Sequence, residues 1–161
     1  MRIGVLSDTH IPVAADKLPD KIIKEFKQCD LIVHAGDIVE LFVIEELNKL
    51  AETKAVHGNM DSREVKQSLP EKIILNVAGK KIGIIHGNGP GFKVPKNAKK
   101  AFRKKLDIII FGHSHIPYNE KLDSTLMFNP GSATDNVFGG SCSFGIIEID
   151  GDNIQSKIIK V

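Results

Sequence analysis

Apolar residues along this chain gather in short runs that stop abruptly at polar residues able to donate lone pairs. Ile3–Leu6 runs into Asp8-Thr9-His10, and Leu31–Val33 passes through His34-Ala35-Gly36 into Asp37. Ala55-Val56 leads through His57-Gly58 to Asn59, Ile82–Ile85 leads to His86-Gly87, and Ile108–Phe111 ends at Gly112-His113-Ser114-His115. Runs of this length without alternation predict strands buried on both faces, as in a covered parallel sheet. Between them, Ile22, Ile23 and Phe26 are spaced for one face of a helix over Pro19–Cys29. Leu41, Ile44 and Leu47 mark a second helix, opened by Asp37 and running to about Leu50. Alternation of this kind requires a parallel sheet with right-handed crossovers. Asp61, with Glu64 three residues on, predicts a third helix start with Asp61 as its cap; the alternative role for Asp61 is to orient a neighbouring group.

After Leu69-Pro70 the pattern changes to a hairpin, Lys72–Val77 and Lys80–Ile85 about Ala78-Gly79. A glycine-rich loop, Gly87–Gly91, precedes a helix predicted over Pro95–Leu106, with Ala98, Ala101, Phe102 and Leu106 on its apolar side. Short strands follow at Tyr118–Lys121, Leu126–Phe128, Phe144–Ile149 and Ile154–Val161, the last two parted by the turn Asp150-Gly151-Asp152-Asn153. The expected fold class is α/β: a four-layer α/β/β/α sandwich of two mixed sheets flanked by helices, one domain over residues 1–161.

Lys and Arg number 22 against 20 Asp and Glu, a net charge of +2. That is too small to argue for nucleic acid or a membrane surface from charge alone. No apolar run approaches the length of a membrane span, and Arg2 enters the first strand without a preceding signal segment. Cys29 and Cys142 stand far apart and form no metal or redox motif, so a reduced, cytoplasmic setting is expected. The basic run Lys93, Lys96, Lys99, Lys100, Arg103, Lys104 and Lys105 reads as the wet face of a helix.

Open α/β sheets place their sites beyond the carboxyl ends of the strands, where the polar endings above stand. The candidate metal ligands are Asp8, His10, Asp37, Asn59, His86, His113 and His115. In extended chain His113 and His115 would project to one side and face one point. All seven offer oxygen or nitrogen and none a thiolate. Such a set suits Mn²⁺ first, with Ni²⁺, Co²⁺, Fe²⁺ or Zn²⁺ as alternatives. Seven ligands exceed the needs of one ion but fit two sharing a carboxylate. Two divalent ions, two aspartates and a bridging hydroxide leave roughly +1, which a singly charged phosphodiester would neutralise.

The ordered series Asp8-Thr-His10, Gly36-Asp37, Gly58-Asn59-Met-Asp61, Ile85-His86-Gly87 and Gly112-His-Ser-His115 resembles the calcineurin-like metallophosphoesterase superfamily. Leu69-Pro70 and Asn129-Pro-Gly-Ser132 look most like its small prokaryotic phosphodiesterases, and the likeness runs from Met1 to about Thr134. It implies a metal-dependent phosphoric diester hydrolase: Asp8, His10 and His115 around one divalent ion, Asn59, His86 and His113 around the other, Asp37 bridging. A metal-bridging hydroxide would attack phosphorus in line, with Asp37, Asn59 and His86 as the catalytic group. The expected partner is a small phosphodiester; no membrane or nucleic acid is required, and self-association is left open.

Many members of the superfamily carry histidine after the asparagine to protonate the leaving group, where this chain has Met60. The rival reading is therefore a catalytically weak or inactive scaffold, similar to the phosphoesterase-like subunit of the retromer coat. A hydrolase of non-phosphate esters is a further alternative, disfavoured by the motif order. His34 and His57 are read as supporting residues, and Asn129–Ser132 as a tight turn beside the site without catalytic duty.

Overall fold

The computed structural model describes residues 1–135 and 140–161. In chain order its elements are β1 (Arg2–Leu6), α1 (Asp20–Phe26), β2 (Leu31–His34), α2 (Phe42–Asn48), β3 (Thr53–Ala55) and α3 (Arg63–Ser68). There follow β4 (Lys72–Val77), β5 (Lys80–Ile85), α4 (Val94–Lys100), β6 (Ile108–Ile110), β7 (Tyr118–Leu122), β8 (Thr125–Asn129), β9 (Ser143–Asp150) and β10 (Asn153–Lys160). They form two five-stranded sheets, ordered β10-β9-β1-β2-β3 and β4-β5-β6-β8-β7. Both are mixed: β1, β2 and β3 run parallel, as do β5, β6 and β8, while β9, β10, β4 and β7 pair antiparallel with their neighbours.

Why the central strands are continuous apolar runs follows from the layering. Ile3, Val5, Leu31 and Val33 of the first sheet meet Ile82, Ile84, Ile108, Ile110 and Phe128 of the second in a dry middle layer. The opposite faces bury under helices: Phe26, Val43 and Leu47 cover Leu6 and Ile32, and Val94 and Ala98 cover Ile85 and Ile109. Each central strand thus loses water on both sides, which the absence of alternation had implied. The α/β sandwich with flanking helices is as expected.

Two helices differ from expectation. The second begins at Phe42 rather than Asp37, because Asp37 and Val39 take φ of 55° and 81°, which no right-handed helix includes. The fourth ends at Lys100 rather than Leu106. Beyond it the chain is drawn onto the sheet: the Thr125 hydroxyl donates to the Leu106 carbonyl at 2.8 Å, and the Asp107 N–H to Lys81 O at 2.9 Å. Phe102 and Leu106 stay buried without helical backbone. Of the basic run only Lys96, Lys99 and Lys100 lie on α4, where Lys99 pairs with Asp123; Arg103, Lys104 and Lys105 lie beyond its end, so the run is not one wet helical face.

Candidate metal centre

All seven candidate ligands converge at the carboxyl ends of β1, β2, β3, β5 and β6. They do so on loops, and five of them, Asp8, His10, Asp37, His113 and His115, take positive φ between 44° and 68°. Non-glycine residues pay for that conformation, by roughly 1–3 kcal/mol each where strained, so the surrounding bonds must hold them there. His113 and His115 are consequently not extended and do not face one point. The His113 ring turns to Asn59, Nδ1 to Oδ1 2.9 Å, whereas His115 Nε2 lies 3.3 Å from Asp8 Oδ1 and 3.3 Å from His10 Nε2.

Two groups of ligand atoms result. Asp8, His10 and His115 each present an atom within 4.8 Å of the others, and so do Asp8, Asp37 and His86. Asn59 Oδ1 joins the second side, 3.2 Å from His86 Nε2. Asp37 Oδ2 sits 3.2 Å from His86 Nε2 and 3.9 Å from His10 Nε2, so one carboxylate oxygen reaches a ligand on each side. Close approach depends on glycine. A Cβ on Gly58 would stand 2.8 Å from the His86 ring and overlap Asp37 Oδ1, and one on Gly112 would stand 2.8 Å from Asp8 Oδ2.

The donor pattern fits cations. His86 Nδ1 lies 2.8 Å from the Ala35 carbonyl and must carry its hydrogen there, which leaves Nε2 as a lone pair. That lone pair faces Asp37 Oδ2 at 3.2 Å and Asp8 Oδ1 at 3.9 Å, both acceptors. Such a meeting needs a proton or a metal ion at its centre. His113 repeats the arrangement: Nε2–H donates to Gly89 O at 3.2 Å and turns Nδ1 toward Asn59 Oδ1.

Without metal the proton takes that place. Burial opposes charge on His86, but the hydrogen bond to Asp37 and the charges of Asp8 and Asp37 push it up to about 9. Burial likewise opposes charge on Asp37, yet His86 and the Met60 N–H, 2.7 Å away, hold its carboxyl below the usual range. Asp8 raises His115 against a smaller effect of burial. His34 is opposite: complete burial pushes it down to about 4. It stays neutral, accepting from Gly36 N at 3.2 Å through Nδ1 and bonding Thr9 Oγ1 at 3.0 Å. Stability that protonated His86 contributes is fully present below 6.5 and is lost as pH rises through about 9. Metal-stripped protein should therefore lose roughly 5–10 °C of Tm between these limits, and His86→Gln should flatten the curve. An unchanged slope in that variant, read by differential scanning calorimetry, would contradict the assignment of the proton to His86.

Several buried residues hold the candidate ligands in place. Asp61 is not the helix cap; Ser62 is, its hydroxyl accepting from Val65 N at 3.3 Å. Asp61 is instead buried under the site and accepts N–H groups from Asp37 at 3.2 Å, Ile38 at 2.5 Å, Val39 at 2.6 Å and Gly58 at 2.6 Å. A single carboxylate thereby ties the Asp37 loop to the Asn59 loop. Ser132 Oγ donates to Asp8 O at 2.6 Å, and Asn129 Nδ2 to Gly112 O at 2.9 Å, so the Asn129–Ser132 turn braces two ligand loops. Asp135, without any motif to signal it, lies 3.8 Å from His115 Nδ1.

The calcineurin-like phosphoesterase superfamily domain matches residues 1–152. A probable metallophosphoesterase of Methanothermobacter thermautotrophicus is 33% identical over 161 residues, spanning 99% of this chain and 92% of that protein. A phosphodiesterase of Methanocaldococcus jannaschii is 31% identical over 177 residues, spanning 99% of this chain and all, 100%, of that protein. In fold alone the chain also resembles Vps29 from Chaetomium thermophilum, with a TM-score of 0.82 at 20% identity over 99% of this chain and 97% of that one. With strand-end ligands in the expected order and the match spanning nearly its whole length, the chain belongs to the calcineurin-like phosphoesterase superfamily.

Proposed function

We propose that this chain is a metal-dependent phosphodiesterase, its activity housed in one domain over residues 1–161. Asp8, His10 and His115 would hold one divalent cation and Asn59, His86 and His113 a second, with Asp37 between them. Bound there, the ions would make a water nucleophilic and draw charge off the phosphoryl oxygens during in-line displacement. The observation that carries the reading is the His86 lone pair, tautomerically fixed by Ala35 O and aimed at the carboxylates of Asp37 and Asp8. Without metal the centre needs a proton on His86 for its positive charge, and a cation held among these acceptors would supply that charge instead. Oxygen and nitrogen ligands favour Mn²⁺, with Ni²⁺, Co²⁺, Fe²⁺ or Zn²⁺ as alternatives. The small positive excess expected at the loaded site favours a singly charged diester over a doubly charged monoester.

The chain's own residues orient rather than protonate. Asp37 Oδ1 is held by the Met60 N–H, but the Met60 side chain is 60% exposed and carries no proton to give a leaving alcohol. A positioned general acid is typically worth about 10²–10⁴-fold, most for poor leaving groups. Turnover should thus be slow on alkyl diesters and faster on nitrophenyl ones, and Met60→His should narrow that gap about tenfold or more. Equal rates on both classes in the unaltered protein would contradict this. The overall test is metal-stripped protein reloaded with each candidate ion and given diesters and monoesters in parallel. Absence of hydrolysis under every metal would refute the proposal.

Met60 favours one other reading, a scaffold with little or no activity. Elemental analysis with a metal-rescue assay separates the two: a scaffold would show no activity on reloading.

A further inference from the structure

A cavity of about 510 Å³ has His115 in its wall. Ile116, Pro117 and Ile158 supply its apolar surface, and Asp135, Ser141, Ser143 and Lys160 its polar edge. Asp135 faces the His115 ring at 3.8 Å, which ties this edge to the Asp8–His10–His115 group. A second cavity of about 290 Å³ opens on the other ligand group, at Asn59 and His86, and is lined by His57, Lys66, Glu71 and Asn88. Each group of ligands thus borders a cavity of its own.

Exposed apolar side chains follow the same geography. Ile116 and Phe92 are 53% and 80% exposed, and both stand on loops that carry candidate ligands or pack against them. The Gly91 backbone approaches Ile116, a Cβ there lying 3.6 Å from Cδ1, so the two loops meet beside His113 and His115. Scattered exposed apolar residues need no explanation, but an apolar wall continuous with a polar reaction site does.

Resting on the phosphodiesterase reading, we infer that the cavity beside His115 seats one ester arm of the substrate, and that this arm is apolar, an aromatic group or one of similar bulk. A phosphodiester differs from a monoester in having a second organic arm that must go somewhere when phosphorus sits at the metals. The volume lies within the roughly 300–1,000 Å³ usual for small-molecule sites, far above what a methyl ester needs. Transferring an aryl group from water to such a wall should strengthen transition-state binding about tenfold or more over a methyl group.

The test compares methyl 4-nitrophenyl phosphate with phenyl 4-nitrophenyl phosphate on metal-loaded protein, so that the leaving group is shared and only the retained arm changes. The ratio of their kcat/KM values is read in the unaltered protein, in Ile116→Ser and in Ile158→Thr. Because Ile116 is exposed, its variant should fold; taking ratios cancels the intrinsic reactivity of the esters. The expected result is a fall in phenyl preference of about fivefold or more in both variants, through KM for the phenyl ester, with the methyl ester little changed. An unchanged preference in both variants overturns the inference. Failure to hydrolyse either ester with any metal refutes the phosphodiesterase reading itself, a different outcome from equal loss on both.

Discussion

Asp37→Asn should lower metal-dependent hydrolysis of bis(4-nitrophenyl) phosphate by about a thousandfold or more, while the protein stays folded. The size follows from the position. Asp37 Oδ2 is the oxygen within 3.2 Å of His86 Nε2 and 3.9 Å of His10 Nε2, so its charge serves both sides of the proposed pair. Charge stabilisation by a metal pair is worth several kcal/mol, and about 4 kcal/mol corresponds to a thousandfold. An asparagine keeps a carbonyl oxygen to accept the Met60 N–H but cannot hold cations as an anion does. Its amide can donate to the His86 lone pair, which removes the need for a proton or metal there. The variant should therefore fold as well as the metal-stripped parent while binding metal weakly. Activity above a tenth of the parent's, with both metals retained by elemental analysis, would end the bridging assignment.

Asp61→Ala carries the largest expected effect on stability. Four backbone N–H groups, from Asp37, Ile38, Val39 and Gly58, converge on its buried carboxylate. Each buried donor left unsatisfied costs about 1–3 kcal/mol, although water entering the vacated space will recover part of this. A net loss of roughly 3–5 kcal/mol follows, which for a chain of this size is about 6–20 °C in Tm. Metal affinity should fall as well, because Asp37 depends on this anchor for its left-handed backbone. Asp61→Asn, with one carbonyl oxygen instead of two, should lie between. Calorimetry of the metal-stripped proteins checks the first effect, and metal titration the second. An alanine variant that melts with the parent would show that the four contacts contribute nothing net.

The two variants probe different kinds of residue, and their legibility in the sequence differed accordingly. Asp37 could be picked out because it follows an apolar run and a glycine, and chemistry at a strand end has few other uses for that combination. Asp61 carried the same kind of label as a helix cap, an acidic residue three before a glutamate, and that local pattern pointed to the wrong role. A capping box and an anchor for a distant loop look alike until the loop arrives. Asp135 had no signal at all, since its relation to His115 exists only across the fold. The histidine pair shows the same limit from the other direction. Spacing by two suggested a shared target, but positive φ at both residues sends one ring to Asn59 and the other to Asp8.

What the sequence determined by itself was the layered α/β architecture and the candidate ligands, which the fold brings to one end of the sheets. Burial on both faces demands unbroken apolar strands, and their polar endings are written consecutively in the chain. The resemblance already implied how the candidate ligands divide between two ions; only the tertiary structure decided which tautomer His86 adopts, where the His113 and His115 rings turn, and which carboxylate holds the loops. Those outcomes depend on contacts between residues dozens of positions apart and on left-handed backbone at non-glycine positions. Such conformations are locally unfavourable, so no local pattern announces them; they persist because the assembled loops supply the bonds that hold them.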